Sequence, residues 1–89
     1  MKTMKLFVLT ELSQKDNERP NVEVLDVFTT KTAAKERLDE RKEELKNDYE
    51  KNYPDGWDVD TDFPHWFEIY AESEYDWTEL LITEKELKK

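Results

Sequence analysis

Residues 31–52 have the sequence KTAAKERLDERKEELKNDYEKN, which contains neither glycine nor proline. Apolar side chains recur along it at helical spacing, and the remaining positions are mostly Lys, Arg, Glu and Asp. The apolar stripe consists of Ala34, Leu38, Leu45 and Tyr49. Thr29, Thr30 or Thr32 can cap the start of a helix by accepting a backbone N–H bond. The pattern predicts one long helix with a single packed face and a solvated, charged face.

Two strands are predicted before this helix. Residues 4–12 alternate between the two sides of an extended chain, as expected for a strand inside a sheet. Residues 22–28 are rich in β-branched side chains and end on an aromatic residue, which favours a second strand. The polar segment 13–21 between them contains turn-forming residues and predicts a hairpin loop.

The helix is predicted to end at Pro54-Asp55-Gly56, where a residue that cannot continue a helix is followed by the only glycine. A loop is predicted from there to about Pro64. Its acidic residues are Asp55, Asp58, Asp60 and Asp62. Aspartates at alternate positions can bind calcium, but an EF-hand would need glycine and glutamate where this chain has Phe63 and Ile69. We therefore interpret residues 58–62 as an acidic loop or a short edge strand without a metal.

Two further strands are predicted at 66–73 and 77–83, separated by an acidic turn at 74–76. The polar tail 84–89 is expected to be frayed or briefly helical. The predicted fold class is α+β, in the order β-β-α-β-β, with an antiparallel sheet and the long helix packed on one face. A chain of 89 residues is expected to form a single domain, 1–89. The predicted core includes Leu38, Leu45, Phe67, Ile69, Leu80 and Ile82.

Aromatic and acidic side chains are predicted on the sheet face that points away from the helix. The candidate partner-binding residues are Trp66, Glu68, Tyr70, Glu72, Trp77 and Glu79, together with Leu81. A sheet covered on one side does not require aromatic residues on the other. They either stabilise the hairpin as cross-strand pairs, lie under the 54–64 loop, or form an interface with a second copy or a partner.

The composition excludes several classes of protein. The net charge is −9, of which residues 54–89 contribute −8, so phosphate backbones and anionic lipids are repelled. No segment approaches the length of apolar residues needed to span a bilayer, and the N-terminus lacks the long apolar region of a signal peptide. With no cysteine, disulfide bonds and thiolate zinc sites are excluded. We expect a cytoplasmic protein that binds neither nucleic acid directly nor membranes.

The sequence does not predict an enzyme or a cofactor. His65 is the only histidine and has no identifiable serine or thiol partner, and a single glycine rules out a glycine-rich phosphate loop. Carboxylates such as Glu68 and Glu72 would need a cleft to act as an acid–base pair. A small sheet with one helix offers little concavity.

The function predicted from these observations is a small, acidic, non-catalytic protein-interaction module. Its aromatic and acidic sheet face would bind a protein partner or a second copy of the chain. The alternative is an acidic decoy, encoded by a phage or mobile element, whose carboxylates imitate phosphates and block a basic nucleic-acid-binding protein. No motif identifies the partner.

Overall fold

The computed structural model describes residues 3–15, 19–72 and 76–88, which form one sheet and one helix. The elements in chain order are β1 (Thr3–Gln14), β2 (Asn21–Phe28), α1 (Lys31–Asn52), β3 (Trp57–Phe63), β4 (Trp66–Ala71) and β5 (Trp77–Lys88). Residues 16–18 of the predicted hairpin loop, residue 73 at the end of a predicted strand and residues 74–75 of the predicted acidic turn lie outside the described residues. Within the described ranges, no helix combines the length and apolarity that crossing a bilayer requires.

The long helix occupies the predicted residues. Of the three candidate capping threonines, Thr30 is the cap, and its side-chain oxygen accepts a hydrogen bond of 3.2 Å from the backbone N–H of Ala33. All four residues of the predicted apolar stripe are buried. After the helix, the chain turns at Gly56, whose φ of +149° lies in a region that side-chain-bearing residues rarely adopt.

The predicted order β-β-α-β-β is wrong, because the sheet has five strands and the order is β-β-α-β-β-β. The additional strand is β3, which occupies most of the segment expected to be a loop. Trp57 and Val59 of β3 pack against the core, while Asp58 between them lies opposite Tyr70. Aspartate is rare in strands, so the three aspartates of this segment hid its alternating pattern.

All strand pairs are antiparallel, and the order across the sheet is β2-β1-β5-β4-β3. β1 and β5 pair along their whole lengths, from Thr3 opposite Lys88 to Gln14 opposite Trp77. The prediction of a frayed or helical tail is therefore wrong for residues 84–88. Pairing with β1 supplies this segment with backbone hydrogen bonds, a benefit that local sequence does not reveal.

α1 packs on one face of the sheet, where the core lies. Five of the six predicted core residues are buried, and Ile82 is partly buried against the same cluster. The buried cluster also contains Leu9 of β1 and Ala71 of β4. Tyr49 reaches across from α1, and its hydroxyl lies 3.0 Å from Thr78 Oγ1 of the central strand.

Candidate functional site

The sheet face that points away from α1, called the open face below, has no second element packed on it among the described residues. The molecule is only 16 Å deep along its shortest axis, which fits one sheet and one helix, because packed layers are spaced by about 10 Å. Strand register places side chains from all five strands on this face. They include Leu6, Val8 and Leu12 of β1, Val22, Val24 and Val27 of β2, Asp58, Asp60 and Phe63 of β3, Trp66, Glu68 and Tyr70 of β4, and Trp77, Glu79 and Leu81 of β5.

β1 and β2 form an apolar half of the open face. Val24 and Val22 lie opposite Thr10 and Leu12 across the strand pair. Val22, Val24 and Val27 expose 66%, 58% and 47% of their surface. β2 is an edge strand, so its valines have neighbours on one side of the sheet only. Covering apolar surface of this kind stabilises a complex by about 25 cal/mol per Å² removed from water.

The aromatic side chains of β4 and β5 lie beside this apolar half. Tyr70 is directly opposite Trp77, and Trp66 is directly opposite Leu81. Phe63 at the end of β3 stacks against Trp66, with 6.4 Å between the ring centroids. The three aromatic residues predicted for the partner-binding face therefore share one face of the sheet, where Tyr70 and Trp77 are direct cross-strand neighbours and Trp66 lies four residues from Tyr70 along β4.

Three carboxylates meet in the middle of the β3-β4-β5 region. Glu68 lies directly opposite Glu79, and Asp60 lies at the irregularity in β3 beside Glu68. Partial burial, followed by hydrogen bonds with Glu79 and Asp60, raises the pKa of the Glu68 carboxyl from 4.5 to about 7. The indole N–H of Trp66 donates a hydrogen bond of 2.8 Å to Glu79 Oε2, which holds that carboxylate in place.

These carboxylates line a pocket of about 430 Å³ on the open face. Its lining residues are Leu12, Asp60, Glu68, Tyr70, Trp77 and Glu79. Gln14 of β1 orients one wall, because its side-chain oxygen accepts a hydrogen bond of 3.1 Å from the indole N–H of Trp77. The pocket therefore combines aromatic walls, an apolar edge and a concentration of negative charge.

The cations that form ion pairs in the described part of the chain all belong to α1. They are Arg37, Arg41, Lys42 and Lys46. The shortest pair joins Arg41 Nε and Glu11 Oε1 at 2.6 Å, on the helix side of the sheet. None of the ion pairs seen there includes Asp60, Glu68 or Glu79. The pocket carboxylates thus have no cationic partner within the described residues.

The other predicted acidic residues do not join the pocket lining. Glu72 lies in the turn that follows β4 rather than on the strand. Asp55 belongs to the turn after α1, and Asp58 lies on β3 opposite Tyr70. Asp62 points to the helix side, where its carboxylate accepts a hydrogen bond of 3.1 Å from Lys42 Nζ. The interpretation as an acidic loop is therefore wrong, and the alternative of an edge strand is correct, since three of the four aspartates belong to β3 at the edge of the sheet.

Among the described residues, no group of three or more His, Asp or Glu side chains is arranged to hold a metal ion. Neither His65 nor the aspartates of β3 therefore belong to such a group. His65 is exposed in the turn between β3 and β4, and its ring centroid is 6.1 Å from that of Phe63.

Two contributions to the site were missed from sequence. Asp60 falls in the segment predicted as a loop, apart from Glu68, and Leu12 is predicted only as part of a strand. The exposed valines of β2 carried a usable signal, since Val22-Glu23-Val24 alternates between apolar and charged residues. Which side of that strand would be covered depends on its pairing with β1, which sequence alone does not specify.

No protein-family model, curated protein or solved structure matches this chain. The residues of the open face are therefore the basis for a functional proposal.

Proposed function

We propose that the protein is a non-catalytic binding module that docks a partner protein on its open face. The observation that supports this proposal best is the apolar surface of the open face, on which no other described element packs. The 54–64 segment was one candidate cover for the aromatic residues, but most of it is β3, which extends the sheet sideways instead of folding over it. Contiguous exposed apolar surface bordered by charge is typical of protein contact sites.

The distribution of charge favours an interaction module over a nucleic-acid decoy. A decoy would need carboxylates spread over a surface at phosphate-like intervals, with few apolar side chains between them. On the open face, three carboxylates share one pocket, and the β1-β2 half is lined mainly by valine and leucine. This arrangement suits a partner that offers both apolar and polar groups.

The proposal can be tested with two variants that each add one lysine at an exposed position. Val24→Lys introduces a charge in the apolar half of the open face, whereas Asn47→Lys introduces the same side chain on the outer surface of α1. Affinity capture from a lysate of the source organism should recover the same partner with the parent chain and with Asn47→Lys. Val24→Lys should lose that partner, because a lysine ammonium would be buried without a counter-charge.

Circular dichroism and thermal melts of both variants would show that each is folded. Retention of the partner by Val24→Lys, or equal loss with both variants, would refute docking on the open face. Repeating the capture at low and high salt distinguishes the interaction module from the nucleic-acid decoy. A decoy complex is held together by charge, so it should dissociate steeply as the salt concentration rises.

A further inference from the structure

We infer that the pocket lined by Asp60, Glu68 and Glu79 receives a basic side chain, lysine or arginine, that the partner presents among apolar neighbours. This inference rests on the proposed function, since it specifies the chemistry of the partner that docks on the open face. The pocket lies beside the apolar half of that face, because Leu12 of β1 is one of its lining residues. One partner surface can therefore occupy both regions.

The pocket contains the groups that recognise an alkylammonium or guanidinium ion. The rings of Tyr70 and Trp77 line it as a cross-strand pair, and aromatic faces attract organic cations. The aliphatic stem of lysine or arginine packs well on apolar surface such as Leu12 while its charged head is solvated or paired. Carboxylates at the same place supply charge-assisted hydrogen bonds.

The size of the pocket is suitable for such a side chain. Its volume of about 430 Å³ falls within the range of roughly 300–1,000 Å³ that is typical of ligand pockets. Glu79 is held towards one side by the Trp66 indole, and the side chain of Trp77 is held by Gln14. Two of the recognition groups are thus oriented before a ligand arrives, which reduces the entropy lost on binding.

The balance of charge indicates why the ligand is cationic. The carboxylates of Glu68 and Glu79 lie opposite one another, an arrangement of like charges that destabilises a strand pair. The ion-paired cations of the described chain are on α1, across the sheet. Partial burial, together with the adjacent carboxyls of Glu79 and Asp60, raises the pKa of Glu68. A cation that entered the pocket would relieve the repulsion.

Charge also favours a different protein over a second copy of this chain. Strand register puts Asp58, Asp60, Glu68 and Glu79 on the open face, and one described cation, Lys85, at its far end opposite Leu6. Face-to-face pairing of two copies would bring two such acidic sets together, in chains of net charge −9. A partner with a basic surface avoids this repulsion.

The test is a titration of the ¹⁵N-labelled full chain with N-acetyl-arginine methylamide, followed by nuclear magnetic resonance. The indole N–H signals of Trp66 and Trp77 report directly on the pocket. Saturable shifts in the millimolar range are expected for this small probe and for its lysine counterpart. The neutral isostere N-acetyl-citrulline methylamide should bind at least about fivefold more weakly, because it lacks the charge. Equal shifts with citrulline would overturn the inference.

A pair of variants on the same strand tests the role of the carboxylates. Glu79→Gln removes a pocket charge while keeping an oxygen that can accept the Trp66 hydrogen bond, whereas Glu84→Gln removes a carboxylate from the other side of β5. Glu79→Gln should weaken arginine binding by about fivefold and Glu84→Gln by less than about twofold. Equal effects, or shifts spread over the whole surface, would refute a specific pocket.

Two further measurements exclude other occupants. Calcium chloride should not reproduce the indole shifts at the same concentration, and sedimentation should give a monomer. Calcium shifts that saturate at lower concentration, or a dimer that Val24→Lys dissociates, would overturn the inference. If arginine does not bind but partner capture is still lost with Val24→Lys, the proposed function is supported. The inference that the pocket receives a basic side chain is then refuted. If arginine binds and capture does not depend on Val24, the pocket binds a basic group, but docking of the captured partner on the open face is refuted.

Discussion

Glu68 of β4 and Glu79 of β5 lie directly opposite one another on the open face, and both line the same pocket. Two carboxylates in this position repel each other, and a third from Asp60 adds to the effect. A fold that needed only stability would not be expected to keep three acidic side chains here, and the cluster therefore supports the proposed binding surface.

Glu68→Gln should stabilise the protein at neutral and higher pH. Partial burial, together with Glu79 of β5 and Asp60 of β3, which face Glu68, raises its folded-state pKa to about 7. The folded state therefore retains a proton that the unfolded state has lost, and the free energy of unfolding falls as pH rises from about 4.5 to about 7. Since solvent screens this partly exposed group, the expected gain is at most about 1 kcal/mol.

Urea unfolding of Glu68→Gln and of the parent chain should show the difference near pH 8 and little difference near pH 4, where the carboxyl is protonated in both states. Glu84→Gln, on the other side of β5, serves as the control. A gain that does not change with pH would show that charge repulsion is not its cause.

Tyr70→Ala and Ile69→Ala should differ strongly, although the two residues are adjacent. Ile69 is fully buried in the core, so its truncation should lower the free energy of unfolding by about 2–5 kcal/mol. Tyr70 is half-buried on the open face opposite Trp77, so its truncation should lower stability by about 1 kcal/mol. Thermal melts and partner capture would measure both. A loss of more than about 2 kcal/mol for Tyr70→Ala would indicate that this face is covered within the monomer.

Gly56→Ala should destabilise the protein by about 1–3 kcal/mol, because φ at Gly56 is +149° and side-chain-bearing residues are strained there. A β-carbon would also lie 2.7 Å from Glu72 Oε2, although that flexible carboxylate can move away. Chemical unfolding would measure the effect. Gly56→Ala combined with Glu72→Ala should recover little stability if the backbone, not the contact, is responsible.

The protein should not bind duplex DNA at about 150 mM salt, because carboxylates on the open face and a net charge of −9 repel phosphates. A gel-shift or fluorescence titration would measure this. Micromolar affinity under these conditions would contradict the charge argument.

The helix and the core could be predicted from sequence because their signals are local. The spacing of Leu38 and Leu45 indicates a helix independently of the rest of the sequence. The alternation of Phe67 and Ile69 with polar or amphipathic residues indicates a strand with one buried face. β3 could not be predicted in the same way. Its aspartates disfavour a strand locally, and only pairing with β4 and packing of Trp57 and Val59 against the core make it one.

The sequence by itself determined the acidity of the chain, the long helix, the buried stripe and the presence of aromatic and acidic residues at alternate positions near its C-terminal end. The tertiary structure decided which of those residues meet. Glu68, Glu79 and Asp60 come from three strands, and Leu12 joins them from a fourth, more than fifty residues away in the chain from Glu68. Such contacts depend on strand register and sheet order, which follow from long-range pairing and packing and not from local preference.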